Sequence, residues 1–290
     1  MDNVSLSINT GETHGIVGES GSGKTTFARL ILKLSKPSSG RLFFKGADIT
    51  DIKGKALKHL RKKLQIIFQD PYSSLDPRKT IFSIISEPLV IQNVHGDDIE
   101  GKVVGSLELV NLPKTKQFMK KYPDELSGGQ RQRVGIARTL TLNPELIVLD
   151  EPVSMLDASI KAGIINLIND VKIQKKLTCL FITHELALAY YICDRISVMH
   201  RGRIVESGIS ADVIKNPIHP YTRDLIESIP PLLPDSAWMD QGQNNTAKKE
   251  PTANGCGFLA RCRHKQKICR EKKPELKDYG NRHMSACHMM

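Results

Sequence analysis

The chain has 290 residues, 40% hydrophobic and 25% charged, with a net charge of +11. That length can bury a large core in one or two domains. Its longest apolar runs, such as "LIVL" and "CLFI", fall far short of the ~20 residues of a membrane-spanning helix. No charged-then-apolar signal segment opens the chain, so the cytosol is the expected compartment, where cysteines serve metals or catalysis more often than disulfides.

The positive charge is unevenly spread. Residues 246–290 hold 11 Lys/Arg against 4 Asp/Glu, a net of +7, which leaves only +4 for the first 245 residues. Aromatics make up 5% of the chain, too few for an extended base-stacking surface. A basic tail on a near-neutral body argues against nucleic acid as the main partner.

Residues 13–34 read "THGIVGESGSGKTTFARLILKL". "HGIV" suits a buried strand, and "TTFARLILKL" repeats its apolar residues at helical spacing. Between them, Gly18-Glu19-Ser20-Gly21-Ser22-Gly23-Lys24-Thr25, with Thr26 following, fits G-x-x-x-x-G-K-[ST] in the strand–loop–helix setting. Glycines let backbone N–H groups converge on phosphate oxygens, and the helix N-terminus favours the anion. Lys24 is expected to reach the β- and γ-phosphates of ATP, and the Thr25 hydroxyl to ligate Mg²⁺.

"YPDELSGGQRQRVGIARTL" (122–140) opens a helix at Ser127-Gly128-Gly129-Gln130, with Val134, Ile136, Ala137 and Leu140 at helical spacing. A serine and two glycines at a helix start form an anion cradle. "PELIVLDEP" (144–152) reads as a second buried strand ending in Asp150 and Glu151. An acid at the C-terminal end of a parallel strand faces the ligand crevice of such sheets. Asp150 is expected in the Mg²⁺ shell, directly or through water, and Glu151 to polarise the water attacking the γ-phosphate.

With "LSGGQ" 20 residues before the acidic strand, the chain resembles the ABC-type ATPases over residues 1 to about 230. The resemblance implies an α/β P-loop (RecA-like) ATPase core with an inserted α-helical subdomain at about 70–145. It implies that the signature serine and glycines touch the γ-phosphate held by an opposing subunit. It further implies a Q-loop glutamine at Gln69 near Mg²⁺, a D-loop aspartate at Asp157 on the dimer contact, and a switch histidine at His184. Residues 70–125 should then grip a membrane permease, with "SSLDPRKTIFSIISEPL" as the coupling surface.

"IFQDPYSSLDPRKTI", "EPLV" and "HPYTRDLIESIP" resemble the oligopeptide/dipeptide/nickel importer branch. That branch implies a peripheral ATPase on the cytoplasmic face of the membrane, working with permease subunits, a second ATPase subunit and, indirectly, an extracellular solute-binding protein. Peptides or nickel would be the cargo. The competing readings are a soluble ABC ATPase acting on nucleic acid, or one carrying a metal- or redox-sensing tail.

The tail holds four of the six cysteines. Members of the branch often end on G-C-x-F-x-x-R-C, then C, P-x-L and H-x-x-x-C, met here by Cys256, Cys262, Cys269, Pro274, Leu276, His283 and Cys287. The resemblance implies a [4Fe–4S] cluster on the four thiolates; zinc accepts the same donors, and a disordered tail with reactive thiols is the third reading. The polar stretch 236–255 reads as a linker, which makes 1–235 the ATPase domain and 256–290 a small attached module.

Three departures from the family pattern stand out. The chain opens at "MDNVSLSINTGET" with no aromatic before Phe27 to stack on adenine, as though an initial strand were missing. Met155 replaces a small D-loop residue, and Glu185 follows the switch histidine where aspartate is common.

Overall fold

A computed structural model describes residues 1–70, 74–94, 98–228 and 254–289. The chain opens with β1 (Thr13–Val17), α1 (Lys24–Ile31), β2 (Phe43–Phe44), β3 (Ala47–Asp48), α2 (Gly54–Lys63) and β4 (Leu64–Ile67). A helical run follows: α3 (Ile81–Ile91), α4 (Asp98–Leu109), α5 (Lys116–Met119), a 3₁₀ turn at Pro123–Glu125, and α6 (Gly128–Leu140). Next come β5 (Leu146–Asp150), α7 (Ala158–Lys175), β6 (Thr178–Thr183), α8 (Leu186–Ile192), β7 (Arg195–His200) and β8 (Arg203–Ile209). α9 (Ser210–Lys215), α10 (Pro220–Glu227), α11 (Ile268–Glu271), β9 (Lys277–Asp278) and β10 (Met284–Ser285) complete it. No helix among the described residues is long and apolar enough to cross a membrane.

The chain divides into two compact units. The first comprises Met1–Ile8, Glu12–Phe27 and Phe181–Met290; the second comprises Asn9–Gly11 and Ala28–Leu180.

In the first unit, β1 is buried along its whole length and pairs in parallel with β7, from His14 opposite Arg195 to Val17 opposite Val198. A strand buried on both faces must satisfy every polar group internally. His14, fully buried, does so through Nδ1 to Glu12 Oε1 at 3.0 Å and Nε2 to Ser197 Oγ at 2.8 Å. Ser197 Oγ continues to Ser207 Oγ at 2.8 Å, so one hydrogen-bonded row crosses β1, β7 and β8. β7 and β8 form an antiparallel hairpin whose turn uses left-handed Arg201 and Gly202.

The far edge of β8 is taken by β10, antiparallel, with Met284 opposite Ser207 and Ser285 opposite Glu206; β10 in turn pairs with β9. Glu206 is fully buried beneath this edge and accepts from Ile218 N and His219 N, both at 2.8 Å. His283 Nε2 lies 2.7 Å from Glu206 Oε1. A buried carboxylate without such partners would be costly. The tail is therefore built into the first unit's sheet, and the separate Cys-rich module expected from the sequence is not found. The expected linker at 236–255 lies, apart from its last two residues, outside the described residues.

In the second unit, β4 and β5 pair in parallel, from Leu64 opposite Leu146 to Ile67 opposite Leu149. Helices α3, α4, α5 and α6 pack on one another, burying Ile81, Ile84, Ile85 and Leu89 of α3 with Val134, Ile136, Ala137 and Leu140 of α6. Arg138 ties this group together, donating to Ser74 O and to Glu87 Oε2, each at 3.0 Å. Lys79 reaches the other Glu87 oxygen at 2.6 Å. The expected α/β architecture is present, with parallel pairing in both units and a helical group inserted between β4 and β5.

Candidate nucleotide site

The phosphate loop belongs to the first unit. Gly18 follows β1 so closely packed that a Cβ there would stand 2.2 Å from Met199 O. Gly21 and Gly23 take φ of +79° and +107°, conformations that side chains disfavour. Ser22 N donates to Glu19 O at 3.2 Å, and Gly202 N to Ser22 O at 2.7 Å, which fixes the loop against the β7–β8 turn. Lys24 is buried at the start of α1 and donates to Gly18 O at 2.7 Å and Glu19 O at 3.0 Å. Its ammonium thus lies folded over the mouth of the loop. Ser22 Oγ is buried without a partner among the described residues, as befits a cradle shaped for an anion. Ser20, Thr25 and Thr26 are exposed, and His184 is exposed just after β6.

The acidic residues belong to the second unit. Asp150 ends β5, nearly buried, and Glu151 follows at a left-handed φ of 48°. Ser154 N and Oγ both donate to Glu151 O, at 3.2 and 3.1 Å, and hold that backbone turn. Gln69, after β4, donates from Nε2 to Glu151 Oε2 at 3.3 Å.

Ser127 caps α6. Gln130 N donates to Ser127 Oγ at 3.3 Å while Ser127 N donates to Gln130 Oε1 at 3.1 Å, a reciprocal capping box. Gly128 opens the first turn of α6, and Gly129 lies beneath it, where a Cβ would meet Ile160 Cγ2 at 2.9 Å. Asp157 sits exposed immediately before α7. Met155 is exposed as well.

Residues of the C-terminal part of the chain, from His200 to Arg261, contribute contacts to the loop that the sequence does not announce. Tyr221 of "HPYT" is fully buried and accepts from Glu19 N at 3.0 Å. Burial pushes its hydroxyl up to about 12. Its ring lies 4.4 Å from that of His200 and 5.5 Å from that of Phe258. Burial, with help from Arg201, lowers His200 to about 4, against an opposing pull from Glu19. Arg261 donates to Glu19 Oε1 at 2.7 Å. The single basic residue inside the "CGFLARC" turn is the local signal for this contact, and nothing in it names a partner 242 residues away.

Cys256, Cys262, Cys269 and Cys287 line a single pocket with Phe258, Leu259 and His219. Burial pushes the Cys256, Cys262 and Cys287 thiols up, and the neighbouring thiols push the same way. The four cysteines expected as ligands thus share one pocket, yet no group of three or more His, Cys, Asp or Glu among the described residues is arranged to hold a metal ion. The expected iron–sulfur or zinc centre is not a formed site here.

Residues 1–154 match the model of the ABC transporter family, and residues 205–269 match the oligopeptide/dipeptide transporter C-terminal region. The chain is 43% identical to the oligopeptide transport ATP-binding protein AppF of Bacillus subtilis, over all of this chain and 89% of that protein. It is 49% identical to the oligopeptide transport ATP-binding protein OppF of Streptococcus mutans, over 79% of this chain and 75% of that one. Among solved structures it resembles cbiO1 from Clostridium perfringens, part of an ABC transporter complex, with TM-score 0.67 and 30% identity over 73% of this chain and 83% of that one. It also resembles the ATP-binding cassette MJ0796, a post-hydrolysis dimer bound to ADP and Pi, with TM-score 0.63 and 29% identity over 72% of this chain and 89% of that one. The chain belongs to the ABC transporter family and, by its C-terminal region, to the oligopeptide/dipeptide branch of it.

Proposed function

We propose that the chain is the ATP-hydrolysing subunit of a peptide importer. The observation that carries this is the phosphate loop itself: left-handed Gly21 and Gly23, with a buried Lys24 ammonium folded across the mouth. ATP phosphates would replace the Gly18 and Glu19 carbonyls as partners of Lys24. Thr25, Asp150 and Gln69 would supply the Mg²⁺ shell. Glu151 would polarise the attacking water, and His184 would hold the γ-phosphate. Ser127, Gly128, Gly129 and Gln130 would close on the ATP of an opposing ATPase subunit, with Asp157 at the contact, so that ATP favours the closed pair.

Work on a solute then needs membrane permease subunits, reached through residues 70–125, and an extracellular solute-binding protein upstream. That places the subunit on the cytoplasmic face of the membrane. The relatives' names favour peptides over nickel. The likenesses support this reading rather than a soluble ATPase acting on nucleic acid or sensing metals.

For the tail, four thiols on one pocket are a suitable donor set for a [4Fe–4S] cluster or zinc. Their described arrangement does not suit either, so no step of the mechanism passes through a metal there.

The purified chain should release phosphate from ATP in a Mg²⁺-dependent manner, and Lys24→Ala should remove that activity. Release that persists undiminished in the variant would place hydrolysis elsewhere and refute the assignment.

A further inference from the structure

The turn from Cys256 to Cys262 has two sides. One carries the thiols into their pocket. The other carries Gly257, Ala260 and Arg261 to a second pocket, whose opposite wall is phosphate-loop residues 19–22, and Phe258 lines both pockets. The turn is held by Arg261 N and Cys262 N, which both donate to Phe258 O, at 3.1 and 3.0 Å. Arg261 is then fixed at three points. Its guanidinium donates to Glu19 Oε1 at 2.7 Å, approaches Asp224 at 3.8 Å, and lies 5.5 Å from the centre of the Phe258 ring.

Glu19 is an awkward residue for its position. It is the second residue of a loop shaped to receive a polyanion, and its carboxylate adds negative charge where negative charge must arrive. Like charges near the phosphates weaken binding by simple Coulomb repulsion. Arg261 offsets that charge from outside the motif, while Tyr221 fixes the same residue through its backbone N–H at 3.0 Å.

We propose that Arg261 is a positioning residue of the nucleotide site, which neutralises and orients Glu19 and thereby sets the affinity for ATP. This rests on the ATPase reading above. The pair is partly exposed, with side chains 38% and 43% accessible, so its effect is modest. Partly exposed pairs of this kind change an equilibrium by a factor of about two to five. Arg261→Ala should weaken ATP binding by about that factor, and ADP by less, because repulsion grows with ligand charge. Arg261→Lys keeps the charge and should retain most of the affinity. In a Glu19→Gln background the carboxylate is already gone, and Arg261→Ala should then change little.

The measurement is equilibrium titration of the full chain with ATP and with ADP, for the wild type, both Arg261 variants, Glu19→Gln and the double variant. Thermal unfolding of each shows that it is folded. The graded loss, its dependence on phosphate number and its disappearance in the double variant support the proposal. Wild-type ATP affinity in Arg261→Ala, or an equal loss with Glu19 already neutral, overturns it while leaving the ATPase reading intact. A wild-type chain that binds no ATP overturns both.

Discussion

Gln69 and Glu151, 82 residues apart, meet through a 3.3 Å hydrogen bond from Nε2 to Oε2. Glu151 does so from a left-handed backbone conformation that costs a non-glycine residue about 1 kcal/mol or more. Strain kept at a carboxylate beside a predicted Mg²⁺ ligand points to use, and Glu151→Gln tests it. The amide can keep the contact with Gln69 but cannot take a proton. ATP affinity should stay near wild type while turnover falls by ~10²–10⁴, the range for losing a general base. Phosphate release beside equilibrium titration separates the two. Turnover within tenfold of wild type would remove Glu151 from the mechanism.

The signature helix leaves little room for a side chain at Gly129. Alanine there meets Ile160 Cγ2 at 2.9 Å, inside normal contact distance. Overpacking of this kind costs about 1–3 kcal/mol. Gly129→Ala should lower the thermal midpoint by a few degrees, and adding Ile160→Ala should recover part of the loss. A midpoint as high as wild type in the single variant would show that the helix start shifts freely.

Acid should weaken the first unit through His200. Folded, it is held neutral down to about pH 4; unfolded, it takes its proton near 6.5. Between those values the unfolded chain binds more protons, so stability falls as pH drops through that window. At pH 5 this group accounts for about 2 kcal/mol. His200→Phe keeps a ring against Tyr221 and Phe258 without the proton. Its difference in urea midpoint between pH 7.5 and pH 5 should shrink accordingly. His219, lowered to about 3 by burial and by His200, leaves a residual acid sensitivity in the variant. An unchanged difference would assign the acid response to other groups.

His283→Ala would strip one partner from Glu206, which is fully buried. Under-satisfying such a group costs about 1–3 kcal/mol. A chain ending at residue 276 should lose at least as much, because β9 and β10 go with it. Urea denaturation of both, followed by ATP titration, is the check. Wild-type midpoints would mean that the tail strand contributes nothing to the fold.

The phosphate loop and the capped signature helix were legible because each is a compact pattern whose residues touch near neighbours. Ser127 and Gln130 even carry the serine-to-glutamine spacing of a capping box. Gln69 and Glu151 were each found at a strand end, but their mutual contact was not foreseeable from either. The tail misled for a physical reason. β10 is two residues long and so shows no alternation, and its partner β8 lies some 80 residues earlier across a polar stretch that reads as a linker. The left-handed turn at Glu151 has no glycine to announce it.

The strand order also bears on how the protein is made. The second unit runs almost without interruption from Ala28 to Leu180 and can consolidate while the ribosome is still adding residues. The first unit begins with β1 but cannot finish its sheet until β7, β8 and finally β10 have emerged. Throughout that interval the β8 edge and the Glu206 carboxylate lack their cover. A ribosome stalled before residue 283 would therefore present an open strand edge and an acid short of its His283 partner, which is a target for chaperones or proteases. The β9–β10 hairpin thus acts as a late-arriving seal on the first unit's sheet.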